Sequence, residues 1–140
     1  SISMDMIIGF CSESEQDHQD TLSLMDKVEY DFGYMFKYSV RPNTPAARME
    51  DDIPENIKQK RLAEIIDKQQ AHSLKHMKKK VGNTYEVLIE GFSKKSDQHF
   101  YGRTTYNSAV IFEKGKDKLG DYVMVKIEDC TSATLKGKVI

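Results

Sequence analysis

Tryptophan is missing from this chain of 140 residues, and cysteine occurs only twice, at Cys11 and Cys130. Two cysteines so far apart make neither a disulfide framework nor a metal-ligand spacing, so a reduced, cytoplasmic setting is expected. No apolar run approaches the roughly 20 residues a membrane span needs, which argues against a membrane partner. A basic segment followed by an apolar one, the mark of a secretory signal, is also lacking at the N-terminus. No phosphate-binding glycine loop, Ser/His/Asp set or paired-carboxylate arrangement stands out from ordinary surface chemistry, and no catalytic residue is assigned. His72 and His76 have the i, i+4 spacing of metal ligands. The intervening Ser73-Leu74-Lys75 lacks the glutamate of a zincin helix, no third ligand is evident, and neighbouring lysines oppose a cation, so no metal site is expected.

Charge of one sign is scarce only over the whole chain, whose net charge is -1. Residues 1–74 carry 8 Lys and Arg against 14 Asp and Glu, whereas residues 75–140 carry 13 against 8. This split points to two parts with different partners, the second modestly suited to a polyanion.

Position 1 is not methionine, and the apolar stretch Met4–Phe10 begins almost at once. Such a run reads as a buried strand of a parallel sheet, which needs neighbours on both sides. The expectation is therefore a piece of a longer protein, with upstream domains as its partners. Ser12 with Glu15, or Ser14 with Asp17, would open a helix through a capping box. Leu22, Leu24, Met25 and Val28 continue it as an apolar stripe, and Tyr34–Ser39 reads as a second strand. A β-α-β opening implies parallel strands and a right-handed crossover.

Pro42 and Pro45 stop that strand. Pro54 and Glu55 suit the first turn of a long helix, with Ile57, Leu62, Ile65, Ile66, Gln69, Leu74 and Met77 as its apolar stripe to about Lys80 and Gly82 as its stop. From Asn83 the period changes to that of strands: Tyr85–Phe92, Phe100–Thr105, Ala109–Phe112, Tyr122–Glu128 and Leu135–Val139, separated by turn formers. Five short strands in that span predict a small antiparallel barrel of the OB or SH3-like kind. The fold class expected is α+β, a βαβα part over residues 1–77 followed by a five-stranded β-barrel over 78–140.

Three segments carry a resemblance. Asp5–Glu15 resembles the D-x-I-x-G-F-P-G-E-T-E segment of radical-SAM methylthiotransferases, and Phe36–Ala46 resembles their Y-S-x-R-P-G-T-x-A segment. Val87-Leu88-Ile89-Glu90-Gly91, with Gly102-Arg103-Thr104 and Asn107, resembles the V-L-V-E-G…G-R-T-x-x-N core of their terminal TRAM domain. The ordered set covers essentially the whole chain and is most similar to the MiaB-type enzymes that act on tRNA. Cys11 and Ser12 stand where that family has Pro-Gly, and Asn43 replaces a common Gly, a change asparagine tolerates because it enters left-handed conformations.

The resemblance implies the end of a radical-SAM partial barrel over residues 1–77 and a TRAM domain over 78–140. It implies an enzyme that converts N6-isopentenyladenosine beside the anticodon to its 2-methylthio derivative, using S-adenosyl-L-methionine and two 4Fe-4S clusters. Two lone cysteines cannot hold either cluster, so this piece alone is expected to be inactive. Gly9, Glu13 and Arg41, at the C-terminal ends of parallel strands, would help shape the S-adenosylmethionine pocket; the alternatives are a tight turn, a helix start and a surface ion pair. Lys94, Lys95, Arg103, Asn107 and Lys126 would contact RNA, with Phe100, Tyr101 and Tyr106 available for stacking, although aromatics in strands usually form core and Asn107 suits a turn. The expected partner is a tRNA anticodon stem-loop. A non-catalytic RNA-binding protein with a TRAM-like barrel, or the sister methylthiotransferase that modifies a ribosomal protein, are the alternatives. Unpaired strand edges predict self-association.

Overall fold

A computed structural model describes residues 1–140. The chain divides into two units, Ile2–His72 and Ser73–Ile140, the second also taking in Ser1.

In the first unit, β1 (Ser3–Ile8) and β2 (Phe32–Lys37) pair in parallel, with Ile7 opposite Phe36 and Asp5 opposite Tyr34. Between them runs α1 (Glu15–Val28), whose start is set by Ser14 rather than Ser12. The Asp17 N–H donates to Ser14 Oγ (3.1 Å), and the Ser14 N–H donates to Asp17 Oδ2 (2.8 Å). This reciprocal box satisfies two of the donors a helix start leaves open. After β2, a short 3-10 turn (Pro45–Arg48) leads to α2 (Glu55–Lys78).

Met4, Met6 and Met35 turn toward a small core of Ile8, Met25 and Ile65. The opposite sheet face is uncovered: Ile7, Tyr34 and Phe36 are each more than half exposed. Within residues 1–140 the sheet has two strands, and β1 has β2 as its neighbour. The buried line of α2 also departs from the apolar stripe expected. It is Lys58, Arg61, Ile65, Gln69 and Ser73, while Ile57, Leu62 and Ile66 flank it half-buried.

The second unit is a closed barrel of β3 (Thr84–Ser93), β4 (Ser96–Thr104), β5 (Ala109–Glu113), β6 (Tyr122–Cys130) and β7 (Thr134–Val139). Its order is β3-β4-β5-β7-β6, the connectivity of an OB-like Greek-key barrel. One contact corrects the all-antiparallel expectation: β5 and β7 run parallel, with Ile111 opposite Lys136. Val87, Ile89, Phe100, Val110, Phe112, Val123, Val125, Ile127 and Leu135 fill the interior. They alternate with outward residues, as a barrel with one wet side requires.

Two glycines allow the barrel to coil. A Cβ on Gly102 would lie 2.3 Å from the Leu88 carbonyl oxygen, and one on Gly137 would lie 2.4 Å from that of Lys126. At these crossings strand backbones approach too closely for any side chain. β3 carries a bulge between Ile89 and Gly91, which sets Glu90 out of register with β4.

Candidate nucleic-acid interface

In the first unit, Gly9 follows β1 in the left-handed region (φ 69°). Its N–H donates to Glu13 Oε1 (3.0 Å), and that same oxygen accepts from Arg61 Nη1 (2.8 Å). Arg61 Nη1 also donates to the Glu13 carbonyl (2.9 Å), and Nη2 reaches Glu15 (3.4 Å). Glu13 therefore closes the turn and ties the start of α1 to α2. Lys58, equally buried, donates to Asp51 Oδ1 (2.6 Å) and lies 5.3 Å from the Tyr38 ring centroid. Burial, followed by a hydrogen bond with Cys11, pushes the Tyr38 hydroxyl above its usual pKa. A Cβ on Gly9 would meet Lys58 Cγ at 2.5 Å, so the glycine answers both to its backbone and to this lysine. Arg41 stands exposed beyond β2. Ser12 (φ 68°) and Asn43 (φ 64°) both occupy left-handed positions.

Sequence reading missed Lys58, Arg61 and the fully buried His18, whose Nε2 lies 2.6 Å from Glu64 Oε2. Their partners are distant in sequence, and charged residues at helical spacing read as a solvated face. His72 is committed to Asp26, its Nε2 lying 3.3 Å from Oδ1. No group of three or more His, Cys, Asp or Glu side chains is placed to hold a metal ion.

The barrel presents a different surface. A wide groove of about 1440 Å³ crosses the outer face of β4, β5 and β7. One end is bounded by the β3–β4 turn at Lys94 and Lys95, and the other by the β6–β7 turn through Thr131 and Thr134. OB-like barrels bind oligonucleotides on this same face, between the turns that join their first two and last two strands. Six lysines line the groove, at 94, 95, 114, 116, 136 and 138, against the carboxylates of Glu113, Asp117 and Glu128. Its floor carries Tyr101 and Ile111, paired across β4 and β5.

Of the residues singled out from sequence, Lys94 and Lys95 lie in the groove. Arg103 borders it, opposite Ala109 on β5, and is held on three sides. Its Nη1 donates to the Asn107 carbonyl (3.2 Å) and to Asn107 Oδ1 (3.0 Å). Its Nε lies 3.5 Å from Glu90, and its guanidinium carbon sits 5.7 Å from the Tyr101 ring centroid. Asn107 takes the left-handed conformation (φ 62°) at the β4–β5 turn. The G-R-T-x-x-N pattern thus builds one clamp, in which the bulged Glu90 and the turn Asn107 fix Arg103 over Tyr101.

Lys126 does not join the groove lining: it is exposed on β6, between Thr84 of β3 and Lys138 of β7. Phe100 cannot stack on a base, because it is 2% exposed in the core. Tyr106 is exposed at the β4–β5 turn, edge-on to Tyr85. Lys114, Lys116, Lys136 and Lys138 were not singled out from sequence, since nothing local distinguishes them from other surface lysines.

A closed five-stranded barrel with a basic groove on this face defines a class, and the family model of the TRAM domain matches residues 78–140. The similarity extends through the rest of the chain. The tRNA-2-methylthio-N(6)-dimethylallyladenosine synthase of Christiangramia forsetii is 57% identical over 140 residues, covering 99% of this chain and 29% of the relative. The synthases of the same name from Flavobacterium johnsoniae and Chloroherpeton thalassium are 54% and 53% identical, each covering the whole chain and 29% and 31% of the relative. The chain thus spans about three-tenths of the length of the curated relatives it matches, corresponds to their C-terminal end and carries a TRAM domain. No helix is long and apolar enough to cross a membrane.

Proposed function

We propose that the chain is the C-terminal part of a cytoplasmic tRNA methylthiotransferase. In it, residues 1–77 complete a radical-SAM domain and residues 78–140 grip the anticodon stem-loop. The whole enzyme would act on N6-isopentenyladenosine with S-adenosyl-L-methionine and two 4Fe-4S clusters. The cluster donors do not fit this chain: Cys11 is buried in the first unit and Cys130 lies at the end of β6, so the clusters belong to other domains and this piece is inactive alone. At the pocket end, Gly9 and Glu13 are engaged with each other, and Glu13 also with Arg61. Their contribution is to hold the wall in shape, while the exposed Arg41 offers a guanidinium to a carboxylate.

The observation that carries the RNA reading is the lysine-lined groove on the barrel face. Lys94, Lys95, Lys136 and Lys138 contact phosphates, and Arg103, fixed by Asn107, contributes at the border. Lys126 acts only as part of the surrounding field. Binding to a modified anticodon stem-loop should weaken with salt, because each neutralised phosphate releases counterions. Replacing Lys136 and Lys138 together by alanine should lower the slope of log affinity against log salt by roughly 1.5, at about 0.7–0.9 per phosphate. Lys126→Ala should change that slope least. Absence of binding even at low salt would remove the RNA role from this chain. The uncovered face of Ile7, Tyr34 and Phe36 also supports concentration-dependent self-association of the isolated chain, which a strictly monomeric sedimentation profile would exclude.

A further inference from the structure

The rings around the groove are more informative than its charges. Phe92, near the end of β3, is 48% exposed, although it is among the most apolar residues of the barrel. One side of its ring leans on Phe100, with centroids 5.5 Å apart, and Phe100 in turn meets Phe112 at 6.0 Å. Phe100 and Phe112 are both buried without needing more of Phe92's surface than it gives. Lys114 Nζ lies 5.2 Å from the Phe92 centroid, so the ring sits among cations at the groove rim. His99 and Tyr101, both groove-lining and half-buried, follow on β4. They are two residues apart on one face, hence about 6.6 Å along the strand. His99 is steadied by Ser96 Oγ at 3.2 Å, and Tyr101 by the clamped Arg103.

A duplex offers phosphates and hydroxyls to such a surface but keeps its base faces stacked on one another. An unpaired strand offers both phosphates and base faces, and aromatic rings beside cations match both. We infer that the groove takes an unpaired RNA strand and that Phe92 is a base-stacking residue within it, with His99 and Tyr101 next along the strand's path. This rests on the RNA reading of the same groove and specifies which form of RNA it accepts.

The chain has no tryptophan, so Phe92→Trp places a single indole reporter at the rim. The probes are an oligouridylate about twelve nucleotides long, within the ~4–16 nucleotides that one such barrel covers, and an RNA duplex of the same length. The indole should be quenched, to saturation, by the oligouridylate and not by the duplex. Phe92→Leu, which keeps an apolar cap over Phe100, should weaken oligouridylate binding about five- to a hundred-fold, the range one base–ring stack supplies. Its salt slope should not change, since no phosphate contact is removed.

Equal or tighter binding of the duplex would overturn the inference while leaving an RNA-binding barrel. So would oligouridylate binding that neither quenches the indole nor weakens in Phe92→Leu. Failure of both RNAs at low salt would instead remove the RNA reading, and this inference with it.

Discussion

Replacing Arg61 by methionine tests what holds the first unit together. Arg61 is 6% exposed, and its guanidinium supplies hydrogen bonds to the Glu13 carbonyl and to Glu13 Oε1, both under 3 Å. Methionine fills much of the same volume but leaves the Glu13 carboxylate, itself only 11% exposed, without its cation. Removing one partner of a buried pair costs about 3–5 kcal/mol. Two features place Arg61→Met near the lower end, about 3 kcal/mol. Glu13 keeps the Gly9 N–H, and the Arg61 Nε, buried without a partner, is itself a cost that the substitution removes. Stability per residue is about 0.05–0.15 kcal/mol, so this loss is a large share of what a unit of this size holds. Native-state hydrogen exchange of the β1 and α1 amides reads it directly. Adding Glu13→Gln should recover part of the loss, because the uncompensated charge is then gone. A loss under about 1 kcal/mol would refute the reasoning and rank this pair with exposed salt bridges.

Gly102→Ala should destabilise the barrel by about 1–3 kcal/mol or more, because the added carbon meets the backbone oxygen of Leu88 rather than a movable side chain. Gly91→Ala, with open space around the new carbon, is the control, and equal melting temperatures for the two variants would contradict the close-approach argument. Acidification should lower the stability of the first unit. Ser14's hydroxyl and backbone hold Asp17 below its ordinary pKa of 3.8, and hydrogen bonds from Lys68 do the same for Asp26. A carboxylate depressed on folding stabilises above its ordinary value and loses that contribution as pH falls through the lowered one. The loss should therefore begin near pH 4 and continue below it, and a denaturation midpoint that stays flat over that range would count against both contacts.

The legible parts of this chain were those set by near neighbours. Ser14 and Asp17 are three residues apart, so a capping box could be read directly, with only the choice against Ser12 left to the structure. Strand positions in the barrel followed from alternation, and Asn43 at φ 64° followed from asparagine's tolerance of that region. What was hidden depends on distant partners. Arg61 finds Glu13 48 residues away, and His18 finds Glu64 46 away, so neither side chain could be placed inside by local pattern. Phe100 was open to either reading from sequence, core or stacking, and the alternation of β4 places it inside with Gly102 and Thr104. Lysines were the hardest to sort. Lys126 and Lys138 face each other across β6 and β7, yet only Lys138 lines the groove, a distinction no local pattern carries.

The parallel pairing of β5 with β7 carries a consequence for how the barrel comes into being. β7 stands between β5 and β6, so it is the stave that closes the cask. Before Thr134–Val139 docks, β5 and β6 each present a bare row of amides and carbonyls, and Val110, Phe112 and Ile127 look out through the gap. Closure must therefore wait for the end of the domain to be synthesised, since hairpins formed earlier cannot seal it. A chain cut short at Ala133 would lose only seven residues but would gain two sticky margins, and it should meet other copies of itself before it meets RNA.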